Sequence, residues 1–306
     1  MNIQAGYRSL LPILVRFTLY FSSIAAGVLA VFSSLEYHKF VLERSRSQGE
    51  EILRLSLASR ALQTDLHEPL KDIEIIASLQ VLSNYLNNQT PANRARLEQG
   101  FLNIAENAHI YDQIRFIDSS GMERVRVNFD GRTAMPAPLN QLQNKSQRYY
   151  LREAIRLQAN AIYISPLDLN IEAGEIERPH KPMIRFAKPV FDAAGQLQGF
   201  VTLNYLAAIL LDDFKDFMAG SPGDSMMVNA KGYWLVSPTK NDEWGFMLDH
   251  HESFANRYAG AWDYLIRHKA GTVETDAGLF IFDTVRPYAI HPGIASVAEE
   301  HAAERY

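Results

Sequence analysis

The sequence contains no cysteine in 306 residues, which excludes disulfide bonds, thiolate catalysis and cysteine-based zinc sites. An excess of positive charge is also missing. The 30 Lys and Arg against 35 Asp and Glu give a net charge of -5, and there is no long basic run. A protein that binds nucleic acid needs a positive surface, so we expect no nucleic-acid partner. Apolar residues make up 47% of the chain, enough for a packed core. The length suggests about two domains.

Recognisable catalytic and cofactor motifs are missing as well. The chain has no HExxH zinc motif, no G-x-S-x-G turn, and no glycine-rich loop of the Walker or GxGxxG type. The acidic stretch from Asp168 begins like an EF-hand calcium loop. However, its glycine comes one position late, at Gly174, and Pro179 replaces the terminal glutamate. The sequence therefore predicts no enzyme active site, no cofactor and no metal site.

A charge-free run of 19 residues, FTLYFSSIAAGVLAVFSSL, occupies positions 17–35. As a helix it would extend about 28 Å, close to the thickness of a bilayer core. Arg8 and Arg16 precede the run and Glu36 follows it. The positive-inside rule then places the N-terminus in the cytoplasm and the rest of the chain outside. A cleaved signal peptide is the alternative, but its apolar region would be unusually long, so we expect an uncleaved single-pass anchor.

The remaining chain changes from a helical pattern to strand patterns. Apolar residues from Leu55 to Ile76 recur every three or four positions and predict a long helix, with Pro69 marking a kink or a junction. Three later turns each place Asp or Asn three residues before Gly, between two strand patterns, and predict antiparallel hairpins. These turns are DSSG at 118–121, DAAG at 192–195 and NAKG at 229–232. Helical patterns recur from Ser146 and from Phe254, where Phe254, Tyr258, Trp262 and Leu265 form a stripe typical of core packing.

These patterns predict an α+β fold: an N-terminal transmembrane helix and a long stalk helix, followed by two antiparallel-sheet units. Parallel βαβ repeats are not seen, which argues against a doubly wound sheet. The glycines and proline of Met218–Asp224 predict the boundary between the units. The predicted segments are the anchor (1–35), the stalk region (36–108), a membrane-distal unit (109–216) and a membrane-proximal unit (217–306). The Ala-rich segment AIHPGIASVAEEHAAERY has a helical pattern, so we expect the second unit to be incomplete.

Several long segments resemble one family of sensor domains. LQNKSQRYYL, YISPLDLNIEAGEIERPHKPMIRFAKPVFDAAG and GFVTLNYLAAILL resemble the double Cache domains, which are tandem PAS-like extracytoplasmic modules of bacterial receptors, in the subgroup named after the receptor LuxQ. MMVNAKGYWLVSP, EWGFML and GLFIFDTVRPY resemble the membrane-proximal module. The resemblance covers residues 36–288. It implies the periplasmic sensor region of an inner-membrane receptor, with a cytoplasmic histidine kinase, diguanylate cyclase or chemotaxis output.

The resemblance also implies a ligand site in the distal unit. In amino-acid-binding relatives, an Arg and an aromatic pair on the pocket helix hold the carboxylate, and a late-strand Asp holds the ammonium. Tyr149 and Tyr150 match the aromatic pair, but Gln147 stands at the Arg position, with Arg148 shifted by one. Asn204 stands at the Asp position, and a neutral amide pairs poorly with an ammonium, which argues against an amino acid. We therefore predict a small polar metabolite, with a carboxylate as one candidate. The predicted ligand-binding residues are Arg148, Tyr149, Tyr150, Tyr163, Asp168, Asn170, Arg185 and Asn204.

Other interpretations remain open. The sensor could dock a periplasmic binding protein and bind no small molecule of its own. The charged stretch Asp168–Lys181 could be a salt-bridged surface loop, and a hydrolase using Asp168 and Glu172 is the weakest reading because its motifs are missing. The apolar stripe of the stalk helix predicts a homodimer. No second apolar span and no output domain occur in the sequence, so we expect it to be the sensing part of a longer receptor.

Overall fold

A computed structural model describes residues 4–172 and 174–286, and the chain divides into two compact units after Leu53. The helices are α1 (Gln4–Asp65), α2 (His67–Ala77), α3 (Gln80–Asn87), α4 (Pro91–Ala108), α5 (Tyr149–Ala154), α6 (Ala208–Met218), α7 (Phe254–Arg257) and α8 (Ala259–Leu265). The strands are β1 (Tyr111–Asp118), β2 (Glu123–Phe129), β3 (Ala134–Pro136), β4 (Tyr163–Ile164), β5 (Asp168–Leu169), β6 (Ile171–Glu172), β7 (Glu175–Ile176), β8 (Pro182–Phe191), β9 (Leu197–Leu206), β10 (Met227–Val228), β11 (Trp234–Val236), β12 (Ala270–Thr275) and β13 (Gly278–Asp283). The Ala-rich segment predicted to be helical, residues 289–306, lies outside the described residues.

The first unit is the N-terminal part of α1, and it contains the predicted membrane anchor. Its most apolar window reaches a mean hydropathy of 1.7 and is not buried by the rest of the chain. Phe17, Ile24 and Phe32 are 66%, 68% and 62% exposed. Water disfavours such a continuous apolar surface and a bilayer accommodates it. This helix is therefore a candidate membrane span.

The helical region predicted for residues 36–108 is divided among four helices. α1 ends at Asp65, and Pro69 lies in the first turn of α2, where a proline removes no helical hydrogen bond. Ile73 of α2 and Phe101 of α4 are fully buried in the same core as Phe116 of β1. The apolar stripe beyond Asp65 is thus covered by the chain's own sheet.

A seven-stranded antiparallel sheet forms the centre of the second unit, in the order β3-β2-β1-β9-β8-β4, with β5 also paired to β8. Side chains alternate between its two faces. On one face, Ile114, Phe116 and Leu203 pack against α2 and α4. On the other, Ile117 and Phe200 pack against α5. Each buried apolar side chain contributes about 1.5–3 kcal/mol, so the two layers hold the sheet between them.

The three predicted hairpins are present, and the predicted α+β class is confirmed. In the first, Asp118 Oδ1 accepts from the backbone N–H of Ser120 at 2.9 Å and of Met122 at 3.1 Å. Gly121 follows with φ of 86°, a conformation that favours glycine. Asp192 and Asn229 accept hydrogen bonds in the same pattern. The turns connect β1 to β2, β8 to β9 and β10 to β11, each pair antiparallel.

The chain beyond α6 contains two two-stranded sheets, β10-β11 and β12-β13. The predicted boundary at Met218–Asp224 begins where α6 ends. Phe254 is buried with Trp234 and Ala261, and Tyr258, Trp262 and Leu265 pack against them. The predicted stripe therefore does pack as a core, although two short helices, α7 and α8, share it. The limits of the distal and proximal units remain a prediction.

Gly199 of β9 lies opposite Asp118 of β1. Its φ is 155°, and a Cβ there would lie 2.2 Å from Ile117 O and 2.9 Å from Asp118 Cα. Backbone atoms cannot rotate away, so we predict that Gly199→Ala lowers the free energy of unfolding by about 1–3 kcal/mol. Chemical denaturation measures the difference. Gly223→Ala is the control, because no atom lies within 4 Å of its added Cβ. Equal losses in the two variants would contradict the close approach.

Candidate functional site

The sheet face that α5 covers carries two rows of side chains that are mainly polar. The first row consists of Arg126, Arg115, Thr202, Ala187 and Tyr163, on β2, β1, β9, β8 and β4. The second row consists of Asn128, Gln113, Asn204 and Arg185, on β2, β1, β9 and β8. Directly opposite residues place their Cβ atoms about 4.5–5.5 Å apart, so neighbours within a row can reach the same small molecule. We call these two sets the polar rows.

The polar rows are buried, yet several of their atoms have no partner. Arg115, Thr202 and Asn204 are 4%, 1% and 2% exposed. Several buried side-chain atoms of the described chain lack a hydrogen bond, and five of them belong to the polar rows: Asn128 Oδ1, Thr202 Oγ1, Asn204 Oδ1, Arg115 Nε and Arg126 Nε. A buried polar group left unpaired costs about 1–3 kcal/mol. Their concentration on one face indicates a site that a polar molecule completes.

Arg185 organises one end of the second row. It forms a salt bridge with Asp168 and donates from Nη2 to Asn170 Oδ1 at 3.1 Å. The Tyr149 hydroxyl donates to the other Asp168 oxygen at 2.7 Å. The guanidinium carbon of Arg185 lies 5.8 Å from the centre of the Tyr150 ring. Burial disfavours the charge of Arg185, but the neighbouring Asp168 outweighs it, and the pKa of Arg185 is raised.

The structure thus brings most of the predicted ligand-binding residues together. Tyr163 ends the first row, and Asn204 lies in the second beside Arg185. Asn170 is buried and donates to Glu177 Oε2 at 2.7 Å. Arg148 is half-buried at the N-terminal cap of α5. Arg185 pairs with Asp168 and donates to Asn170, so these two residues position Arg185 within the site. Direct contact between the predicted residues and a ligand remains a prediction.

Sequence reasoning missed the polar residues of β1 and β2. Arg115 Nη1 donates to the Tyr150 hydroxyl at 3.1 Å, and Nη2 donates to Gln113. Glu123 Oε2 accepts from Arg126 Nη1 at 3.0 Å. The available signal is the alternation of polar and apolar residues in ERVRVNF of β2, together with Gln113 and Arg115 at alternate positions of β1. This alternation predicts strands, but it does not show that the polar side faces the interior.

A cavity of about 1300 Å³ also lies in the second unit. Its walls come mainly from apolar side chains of α1, α6 and the β12-β13 hairpin, such as Leu62, Phe214 and Phe280. Tyr149 and Tyr163 contribute to it, whereas Arg115, Thr202 and Asn204 do not. Its chemistry suits an apolar group, so the polar rows are the better candidate for a polar ligand.

Comparison with known proteins agrees with this architecture. A family model for the sensor domain of bacterial histidine kinases matches residues 54–293. A domain of a sensory box/GGDEF family protein from Vibrio parahaemolyticus is 25% identical, with a TM-score of 0.69, over 79% of this chain and 92% of that one. The extracellular domain of the histidine kinase vpHK1S-Z8 is 24% identical, with a TM-score of 0.66, over 76% and 83%. Methyl-accepting chemotaxis protein X shares the fold at 13% identity, with a TM-score of 0.53, over 72% and 84%. No curated protein matches the chain.

Proposed function

Because the chain belongs to the family of bacterial histidine kinase sensor domains, we propose that its polar rows bind a small polar metabolite and that binding is signalled across the membrane. The predicted resemblance to bacterial sensor domains is confirmed at the level of the family. In this proposal the sensor lies in the periplasm, anchored by the apolar part of α1. The output is a cytoplasmic histidine kinase or diguanylate cyclase. The predicted homodimer remains a prediction that cross-linking tests.

One observation carries the proposal: the partnerless polar atoms lie inside the fold. Thr202 and Asn204 are 1% and 2% exposed, on the central strand β9. A docked periplasmic binding protein would contact the outer surface and could not reach these atoms. A small molecule enclosed between the sheet and α5 could reach them. The interior position of the polar rows therefore supports a small-molecule ligand over the docking alternative.

Thr202→Val separates ligand binding from folding. The Thr202 hydroxyl has no partner in the described chain, so we predict that its removal leaves the free energy of unfolding unchanged or raises it by up to about 1 kcal/mol. The same change should abolish stabilisation by the ligand. Ser165→Ala is the control, because the Ser165 hydroxyl accepts from Arg185 N–H at 2.8 Å and donates to Pro166 O at 2.8 Å. Its loss should lower stability by about 1–3 kcal/mol.

Thermal denaturation of the full chain in lipid nanodiscs, against a panel of small polar metabolites, tests the proposal. A ligand at one hundred times its Kd adds about 2.7 kcal/mol to stability. We expect at least one metabolite to stabilise the wild type and to have no effect on Thr202→Val. Equal stabilisation of both proteins would show that the ligand binds elsewhere. A panel without effect, together with retention of a periplasmic binding protein, would favour the docking alternative.

A further inference from the structure

We propose that the end of the polar rows formed by Arg115, Arg126 and Lys145 binds a carboxylate group, so that the sensed metabolite is an organic anion. This inference rests on the proposed function and adds the charge of the ligand and its orientation in the site. We call these three residues the cationic end. It lies on β1, β2 and the segment before α5, whereas Arg185 and Asp168 lie on β8 and β5.

Two buried arginines at the cationic end share one carboxylate. Arg126 Nη1 donates to Glu123 Oε2 at 3.0 Å, whereas Arg115 Nε lies 3.5 Å from Glu123 Oε1 and makes no hydrogen bond with it. Arg115 and Arg126 are 4% and 6% exposed, and Glu123 is 1% exposed. These three side chains together carry an excess of one positive charge, and Asp112, a further buried acid near Arg115, is paired with Lys181. An uncompensated buried charge is costly, and a bound anion compensates it.

Lys145 adds a third positive charge beside the two arginines. Its Nζ donates to Gln143 Oε1 at 2.7 Å, and the Gln143 N–H donates to Glu123 Oε2 at 3.0 Å. Lys145 is therefore joined to the arginine pair through Gln143. Burial, followed by the charge of Arg115, lowers the pKa of Lys145 to about 8. Because Arg115 acts on Lys145, the two cations lie close enough to attract one anion together.

The geometry also orients the ligand. Arg126 Nε makes no hydrogen bond in the described chain, and Arg115 Nε has only the 3.5 Å contact with Glu123 Oε1, so both can still donate to a carboxylate. The partnerless atoms of Thr202 and Asn204 lie further along the rows, towards Arg185. At that end Arg185 already neutralises Asp168. The carboxylate therefore faces β1 and β2, and uncharged groups such as hydroxyls face Thr202 and Asn204.

The test uses thermal shift and titration on the full chain in nanodiscs of neutral lipid. The probes are acetate, lactate, succinate, malate and citrate, each beside its neutral amide. We expect at least one acid to stabilise the protein and its amide to have no effect. Lys145→Gln should lower the affinity for that acid about tenfold or more, which is the effect expected from the loss of one charge-assisted contact. Lys215→Gln, which removes an exposed cation paired with Asp212, should leave the affinity unchanged.

The outcomes separate this inference from the proposed function. Stabilisation by amides alone would overturn the anionic class and leave small-molecule sensing intact. Stabilisation by an acid that Lys145→Gln binds equally well would overturn the assignment to the cationic end. If neither acids nor amides stabilise the protein while another metabolite of the wider panel does, the anion inference fails alone. If the whole panel fails, both proposals fail.

The pH dependence of the affinity for the acid is a second measurement. It requires no substitution of the buried arginines, which could destabilise the protein. The groups that act on Lys145 are Arg115 and Arg148, which lower its pKa, and Glu123 and Glu172, which raise it. Arginines stay protonated throughout, so Lys145 is the cation that titrates. Affinity for the acid should therefore fall as the pH rises through about 8 and then level off. Lys145→Gln should show no such fall, and a pH-independent wild type would contradict the proposal.

Discussion

Arg185→Met is expected to lower the free energy of unfolding by about 3–5 kcal/mol, because it leaves the Asp168 carboxylate buried without its counter-charge. Arg185 and Asp168 are 2% and 6% exposed. The guanidinium also donates to Asn170, which loses that bond. Methionine approximates the length and volume of the aliphatic part of arginine, so the loss reports on charge and hydrogen bonds rather than on a cavity.

Chemical denaturation measures the loss, and two further variants identify its cause. Lys215→Met breaks a salt bridge of 2.8 Å whose side chains are 51% and 67% exposed, and should cost about 0–1 kcal/mol. Adding Asp168→Asn to Arg185→Met should recover a large part of the loss, because the unpaired charge is then gone. A loss no larger than that of Lys215→Met, or a double variant without recovery, would show that the pair does not hold the site.

Glu123→Gln is the second change with a large expected effect. It removes the one carboxylate that lies between Arg115 and Arg126, and leaves two guanidinium groups buried together. We expect the ligand-free protein to lose about 3–5 kcal/mol. A carboxylate ligand then has more positive charge to neutralise, so it should stabilise this variant by more than it stabilises the wild type. The loss of stability is expected with or without a ligand site, but the larger stabilisation by a carboxylate does not follow if the polar rows are only a structural network filled by water.

The matched control is Glu98→Gln, which removes the acid of an i,i+4 pair with Arg94 on α4. Arg94 Nε lies 2.9 Å from Glu98 Oε1, and the two side chains are 18% and 19% exposed. Pairs of this kind contribute about 0.3–0.5 kcal/mol, and the control has no contact with the polar rows. Denaturation of both variants, with and without the stabilising acid, gives the comparison. Equal losses in the two variants, or less ligand stabilisation in Glu123→Gln than in the wild type, would contradict the charge assignment.

Local signals account for the part of the fold that the sequence predicts well. The turns at Gly121, Gly195 and Gly232 need an Asx acceptor and a glycine with positive φ, and both requirements are visible within four residues. The pairing of β1 with β9 is different, because the two strands lie far apart in the chain. No local pattern specifies that Arg115 stands opposite Thr202. That register forms the polar rows, so the rows could not be predicted from either segment alone.

In the candidate site too, local segments could be predicted from the sequence, whereas contacts that depend on long-range strand pairing could not. Tyr149, Tyr150 and Arg185 were predicted because their segments resemble those of a sensor family, and the structure brings them together. The sequence leaves open whether Arg185 pairs with the nearby acids or meets an anionic ligand, and its salt bridge with Asp168 depends on the pairing of β5 with β8. The helical stripe at Ile73 predicted a helix, but the sequence does not say whether a partner chain or the chain's own sheet covers it.

The most direct test of the central claim is a crystal structure of the protein grown with the metabolite that stabilises it most. The proposal predicts electron density for that molecule between the sheet and α5, with polar atoms in hydrogen-bonding distance of Thr202 Oγ1 and Asn204. It also predicts a carboxylate facing Arg115. Density in the large apolar cavity beside α1 and α6, with only water along the polar rows, would contradict the account.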